Sequence, residues 1–550
     1  MATTPVRRTP TARSLVPWSI VLAVVAVLGV RVFIRANPIE RQVERRSNVG
    51  HPVPGPRHRK SSNPAPPRIS APVSMAVGSP VVPATPPVGA LPVPTPAPVP
   101  PLPDVVRSGP IAIPPGLGVS RRERHLRMTL FPGIGLSGVV IRPTIPYGGS
   151  VVWLGWIRNQ PNSSVGFAVT KRKVTGHIET GDGRRFRITP TDDGGQRVEE
   201  LDSSAAPFEG QDTVRSDQAR PLDEASGDGV LDLLVVFTPA FELAAGGVGG
   251  VASATALAVA ETNTAFAQSG IKTELRLVAI ERVAYQEVGN TDRDLDRLVN
   301  DHDGYLDDVH VLRNTYGADL VSVFTTHAED ACGRAQLGPG SVRDGFSVLT
   351  WPCLADGEPL AHEVGHGLGM DHDAANVKPG VGAAPFARGY RFTGRSGVQW
   401  RTIMAYAPGR PTMHFSNPEI LFDGVPTGMA VSSSTPANNA LVGNTNARAV
   451  SSRRARVIAR EGGCTYRVRR RRLMVRADGG HRQVRVDTAP QCAWSLIDDV
   501  EWAATDGHVT HLGSGLIAID VAPNRTTQAR TGEIVVAGHQ LLLRQEGLPL

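Results

Sequence analysis

At 550 residues the chain is longer than one ordinary hydrophobic core can serve, and length alone argues for about three domains. Its 58 Lys and Arg against 51 Asp and Glu leave a net charge of +7. The surplus lies in arginine clusters (Arg41, Arg45 and Arg46; Arg453, Arg454 and Arg456; Arg467 and Arg469–Arg472) that read as solvated faces or processing sites, so no nucleic-acid partner is expected.

Arg7, Arg8 and Arg13 precede an uncharged, mostly apolar run from Ser14 to Val30, which Arg31 and Arg35 close. That run is near the lower limit for a membrane span and long for the core of a cleavable signal, and no clear A-x-A site follows. Residues 1–37 therefore read as a cytoplasmic stub with a signal anchor, a cleaved signal peptide being the alternative. Left uncleaved, the segment would make the membrane a partner. Residues 38–118 form a linker, with 16 of the 46 prolines between 51 and 100. Val-Pro, Ala-Pro and Thr-Pro repeats favour extended polyproline II over helix or sheet, so a disordered spacer is expected. Residues 119–227 alternate apolar and polar positions between glycine-rich turns, as in Ser150–Trp156 and Val165–Val169, and predict a β-rich domain.

From 228 to 460 the pattern changes to mixed strands and helices. Val230–Phe237 is an apolar run suited to a buried strand, and an alanine-rich helix follows around 251–268. Further strands are predicted at Thr273–Val283, Ala318–Phe324 and Phe346–Trp351, with a helix near 306–316. Residues 362–372 then read His-Glu-Val-Gly-His-Gly-Leu-Gly-Met-Asp-His. On a helix, His362 and His366 stand one turn apart on the same face and can share one Zn²⁺ at roughly 2.0–2.1 Å. Glu363, beside the first ligand, is placed to take a proton from a metal-bound water. Gly369 lets the helix stop abruptly, because glycine adopts positive φ without penalty, and His372 can then return to the metal. Three histidines leave a fourth position open for water, as a catalytic zinc site requires. Nothing in the sequence indicates calcium, which is left open.

This H-E-x-x-H-x-x-G-x-x-H run, followed by Thr402-Ile403-Met404-Ala405-Tyr406, resembles the metzincin metallopeptidases and their Met-turn. The resemblance covers roughly residues 228–430 and is nearest to the bacterial reprolysin-like (adamalysin-like) secreted peptidases. It implies an α/β zincin domain with an irregular lower part, and makes Met404 the hydrophobic floor under the histidines. Asp373, directly after the third histidine, matches the structural aspartate of reprolysin-like enzymes. Tyr406 instead looks like the tyrosine of astacins and serralysins, which supports the oxyanion; a packed turn residue is the alternative. Arg334, Ala335, Gln336 and Leu337 fall where metzincins have the edge strand that binds substrate by backbone hydrogen bonds. Placed before such a domain, residues 119–227 are expected to be a propeptide, with Asp212 or a neighbour able to offer the zinc a carboxylate.

The tail, 461–550, alternates again and predicts a β-sandwich. Its Cys492-Ala493-Trp494-Ser495, Trp502, Arg530-Thr531-Gly532 and Gln545-Glu546-Gly547 resemble BACON-like modules, which implies contact with cell surfaces or glycans. Trp494 and Trp502 read as core rather than sugar platforms.

Four cysteines permit three pairings, of which Cys332–Cys353 and Cys464–Cys492 are the economical ones. None precedes residue 332, which excludes a cysteine-switch prosegment. Disulfides and zinc together place the bulk of the chain outside the cytoplasm. The expectation is an extracytoplasmic zinc endopeptidase acting on proteins. The competing readings are a surface adhesion or glycan-binding protein with a vestigial zinc site, and a zinc hydrolase of cell-wall peptides.

Overall fold

The computed structural model describes residues 105–114, 117, 124–143, 149–191, 194–202, 227–354, 358–377, 384–459 and 462–549. The apolar run 14–30, most of the proline-rich segment, Asp212 and its neighbours lie outside these. Among the described residues no helix is long and apolar enough to cross a membrane.

Eight strands open the described chain: β1 (Val105–Pro110), β2 (Arg124–Phe131), β3 (Ile134–Pro143), β4 (Val151–Ile157), β5 (Ser164–Thr170), β6 (Lys173–Glu179), β7 (Arg185–Pro190) and β8 (Gln196–Leu201). From β2 to β8 each strand pairs with the next in an antiparallel meander, and β1 closes onto β8. Alternation of side chains between the two faces puts Val139, Ile141, Trp153, Phe167, Phe186, Ile188 and Val198 into one core. Strand β1 corrects the expected linker: Val105–Pro110 pairs with β8 although it lies inside 38–118. As the outermost strand it tolerates Pro110, whose missing N–H costs nothing on an unpaired edge.

The mixed region follows with β9 (Val230–Phe237), α1 (Pro239–Ala244), α2 (Val248–Gln268), β10 (Glu274–Arg282), α3 (Thr291–Val299), α4 (Asp307–Tyr316), β11 (Leu320–Thr325), β12 (Gly333–Ala335), β13 (Phe346–Thr350), α5 (Trp351–Leu354) and α6 (Pro359–Gly367). The sheet order is β10-β9-β11-β13-β12, with three parallel pairs and an antiparallel edge strand, β12. Trp351, expected to end a strand, instead begins α5. Below α6 the described residues are irregular, holding the short strands β14 (Arg391–Thr393), β15 (Gln399–Arg401), β16 (Arg410–Pro411), β17 (Leu421–Phe422) and β18 (Val425–Pro426) before α7 (Asn439–Val450).

Helix α2 is the spine. Seventeen of its 21 residues are buried, so it lacks the polar face of a surface helix. It packs against α6, which carries the zinc motif, and also against β4, β5 and β6. Val152 and Ala168 of the N-terminal sheet meet Ala256, Leu257 and Ala260 there. Thr175 and Ser253 hydroxyls bond across the same seam at 2.8 Å.

The last region comprises β19 (Arg467–Arg469), β20 (Arg472–Val475), β21 (Gly480–Asp487), β22 (Ala493–Asp498), β23 (Ala503–Ala504), β24 (Thr510–Leu512), β25 (Gly515–Val521), β26 (Arg530–Val536) and β27 (His539–Gln545). These form two sheets, β19-β21-β25-β23 and β20-β27-β26-β22-β24, over one apolar core. Trp494 is buried, donating its indole N–H to the Gly513 carbonyl at 2.8 Å. Trp502 is half-buried beneath the Arg530 guanidinium. The region is not loosely appended. Ile497, Val509 and Val535 join the core around α2 and β9. Thr510 Oγ1 accepts from Ile280 N (2.9 Å) and donates to Ile280 O (3.0 Å), while Asp499 caps the start of α2 through Gly249 N at 3.0 Å. Both cysteine pairs, Cys332–Cys353 and Cys464–Cys492, are joined, each with a Cα separation of 5.6 Å.

Candidate metal centre and active site

Helix α6 starts with Pro359 at its first turn and carries His362, Glu363 and His366. It ends as the glycine pattern predicts: Gly369 has φ +92°, and a Cβ there would lie 2.7 Å from the Gly338 carbonyl oxygen. The chain turns back and delivers His372 to the same point. The three Nε2 atoms lie 3.1–3.2 Å from one another. Tetrahedral Zn–N bonds of roughly 2.0–2.1 Å require N···N separations of about 3.3–3.4 Å. The triangle therefore fits one Zn²⁺ almost without adjustment, and it is the group among the described residues suited to hold a metal ion.

Protonation follows from the surroundings. His362 Nδ1 lies 2.8 Å from the Ile403 carbonyl oxygen, and His366 Nδ1 lies 2.9 Å from that of Met370. A carbonyl can only accept, so each Nδ1 carries the proton and each Nε2 presents a lone pair. Lone pairs converging this closely repel unless a cation sits between them.

Met404 is fully buried in the main core, and Gly365 makes room for it. A Cβ at Gly365 would meet the Met404 sulfur at 2.7 Å and Phe415 at 3.1 Å. The glycine inside His-Glu-Val-Gly-His, unremarked in the sequence, thus lets the floor rise against the helix. Glu363 is 4% exposed and packs on the edge strand, where a Cβ at Gly333 would come within 2.3 Å of its Oε1. Tyr406 Oη lies 3.0 Å from His372 Nε2, which places the phenol at the open side of the triangle.

Asp373 ties the parts together. Its Oδ2 accepts from Tyr406 N at 3.0 Å and from Asn376 Nδ2 at 2.7 Å; its Oδ1 accepts from Arg391 at 2.8 Å. Arg391 also donates to Ala407 O (3.2 Å), and Arg401 donates to Ala405 O (3.0 Å), so two guanidinium groups bracket the turn that carries Tyr406. Sequence patterns gave no signal for either arginine.

The expected substrate strand is shorter than 334–337: β12 ends at Ala335, and Gln336 and Leu337 lie beyond it, although Gln336 N still reaches Phe346 O at 3.1 Å. The side chains here have internal tasks. Arg334 donates to Thr291 Oγ1 and Asp330 Oδ2, both at 3.1 Å, and Gln336 Oε1 accepts from Gly345 N at 3.1 Å. Leu337 is buried.

The model of the reprolysin-like metallopeptidase family M12B matches residues 252–373. A peptidyl-Asp metalloendopeptidase of Stenotrophomonas maltophilia is 32% identical over 332 residues, covering 55% of this chain and 77% of that protein. The chain belongs to the reprolysin-like zinc peptidases. A second peptidyl-Asp metalloendopeptidase, from Xanthomonas campestris, is 34% identical over 287 residues, covering 50% of this chain and 66% of that protein. Like other members of its family, this chain is a zinc metalloendopeptidase.

Proposed function

We propose that the protein is an extracytoplasmic endopeptidase in which His362, His366 and His372 hold one catalytic Zn²⁺ and Glu363 is the general base. The convergence of three Nε2 atoms with two of the Nδ1 positions fixed by carbonyls carries this reading. The metal, when bound, supplies Lewis acidity, lowering the pKa of water and polarising the scissile carbonyl. Glu363 takes the proton of the attacking water and returns it to the leaving amine. Tyr406 donates its phenol hydrogen to the oxyanion, a bond worth a few kcal/mol when it strengthens in the transition state. Substrate backbone pairs with the edge at β12, which asks nothing of the committed side chains of Arg334 and Gln336.

The two disulfides support an oxidising compartment. The relatives' names support cleavage beside aspartate. The N-terminal sheet acts as a folding partner for α2, whose Ala256, Leu257 and Ala260 would otherwise face water. The C-terminal sheets form a BACON-like surface-contact module.

Casein hydrolysis that disappears with a zinc chelator and returns with added Zn²⁺ tests the central reading. A protein that loads one zinc yet cleaves neither casein nor Asp-containing peptides would overturn it.

A further inference from the structure

Strand β20 is the edge of its sheet and runs parallel to β27, with Arg472 opposite Leu542 and Met474 opposite Arg544. Alternation sends Leu473, Val475, Leu541 and Leu543 into the core and leaves Arg472, Met474, Leu542 and Arg544 on the outer face. Each row therefore pairs a guanidinium with an apolar side chain, and the order reverses from one row to the next. Met474 is 59% exposed and Leu542 40%. Arg470 and Arg471, at the corner leading into β20, and Arg476 just beyond it are also exposed.

These five arginines (470, 471, 472, 476 and 544) have no side-chain hydrogen bond or ion pair among the described residues. On the other sheet the contrast is plain: Arg469 and Arg485 both bind Asp487, at 2.7 and 2.6 Å. Glu533, opposite Leu542 on β26, Glu546, after β27, and exposed Asp478, two residues past Arg476, bring three negative charges near the patch against five positive. Five like charges around two exposed apolar side chains do nothing for the fold, since they repel one another. They suit a partner offering both dense negative charge and an apolar layer. Arginine binds phosphate oxygens through paired N–H donors, and Met and Leu enter the boundary between headgroups and acyl chains. Nucleic acid supplies the charge, but single strands are held by stacking on aromatic rings, and Arg472, Met474, Leu542 and Arg544 offer none.

We propose that this face docks the enzyme on an anionic phospholipid surface, with the five arginines on lipid phosphates and Met474 and Leu542 at the acyl boundary. The site is separate from the zinc centre and independent of the peptidase reading.

The test is co-sedimentation of the full chain with vesicles of phosphatidylcholine alone and of equal parts phosphatidylcholine and phosphatidylglycerol. The arginines that flank the apolar run Ser14–Val30 also favour anionic vesicles, so the patch is read in the difference between the wild type and its own arginine variants on those vesicles. A basic residue near an anionic membrane contributes about fivefold in affinity, so a combined Arg471→Gln, Arg472→Gln, Arg544→Gln variant should lose about a hundredfold on the anionic vesicles. Lysine at the same three positions should restore most of it. Met474→Ser with Leu542→Ser should weaken binding without changing its salt dependence. Arg469→Gln with Arg485→Gln on the other sheet should change nothing. Casein cleavage and thermal stability should be unaltered throughout. Equal binding of wild type to both vesicles would overturn the proposal. So would a triple glutamine variant that binds the anionic vesicles as tightly as the wild type, or a wild type that ignores them while binding RNA.

Discussion

The Asp373 carboxylate accepts the backbone N–H of Tyr406 at 3.0 Å, joining the residue after the third histidine to the turn that carries the phenol. The two are 33 positions apart in the chain, yet this bond sets the distance from His372 to Tyr406. The same carboxylate holds Arg391, and Arg391 holds the Ala407 carbonyl, so both ends of the tyrosine's turn depend on one buried acid. A single group thus links the residue after His372 to the placement of the Tyr406 phenol.

Asp373→Ala should cost about 3 kcal/mol of stability in urea unfolding, because it removes one partner of a mostly buried ion pair and strips three N–H donors, those of Tyr406, Asn376 and Ala375, of their acceptor. Turnover should fall further than zinc content, since His372 keeps its place on the chain while Tyr406 loses its tether. Asp373→Asn retains an acceptor oxygen and should recover part of the kcat. Unchanged turnover in the alanine variant would show that the turn holds itself.

Glu363→Gln should bind zinc stoichiometrically and melt at the wild-type temperature, while kcat falls by at least about a thousandfold. The amide fits the space beside Gly333 but takes no proton. Metal content and peptide turnover, measured on the same preparation, decide the matter; near-normal cleavage would remove Glu363 from the mechanism. Arg401→Met should instead slow the cleavage of all peptides alike, because the turn that carries Tyr406 loses its bond from Arg401 to the Ala405 carbonyl.

The metal centre was readable because each of its constraints is local: a one-turn histidine spacing, a glycine at the stop, a methionine in a short turn. The β character of both flanking regions was readable for a similar reason, the alternation of apolar and polar residues along segments such as Ser150–Trp156. What was missed depends on distance. Helix α3 has Leu295, Leu298 and Val299 at helical spacing and an Asn290 cap, but its many charges hid the pattern. Val105–Pro110 looks like linker because its partner, β8, lies about 90 residues away. The seating of the C-terminal sheets rests on Ile497, Val509 and Val535 in the main core, on the paired bonds between Thr510 and Ile280, and on Asp499 accepting from Gly249 N. No periodicity announces such contacts.

Tyr406→Phe separates a catalytic phenol from a packed ring. With Oη 3.0 Å from His372 Nε2, the hydroxyl lies where oxyanion charge would develop, and its loss should lower kcat ten- to about a thousandfold with little change in KM. Zinc content and melting temperature should hold, because the phenyl ring still packs beside His372. An unaltered kcat would reduce the enzyme's chemistry to the metal and Glu363.

The seam between the N-terminal sheet and α2 should respond to pH. His177 Nδ1 on β6 and Glu261 Oε1 on α2 approach to 2.7 Å in a buried site, for which Gly166 leaves room: a Cβ there would lie 2.5 Å from Oε1. Burial alone would lower the His177 pKa, but attraction to Glu261 outweighs it and the ring is raised above its ordinary 6.5. Burial raises Glu261 above 4.5, and His177 only partly offsets this. Both groups therefore hold protons more tightly folded than unfolded, and stability must fall as pH rises through their folded pKa values. The contribution of His177 is complete below pH 6.5 and disappears above its raised value; that of Glu261 begins to decline above 4.5. Urea unfolding of the full chain should show a midpoint that drops from weakly acidic to mildly alkaline pH. In His177→Gln with Glu261→Gln the drop should flatten, leaving two neutral amides able to bond across the seam. A midpoint with the same pH slope in wild type and double variant would assign the dependence to other groups and leave this pair a silent contact.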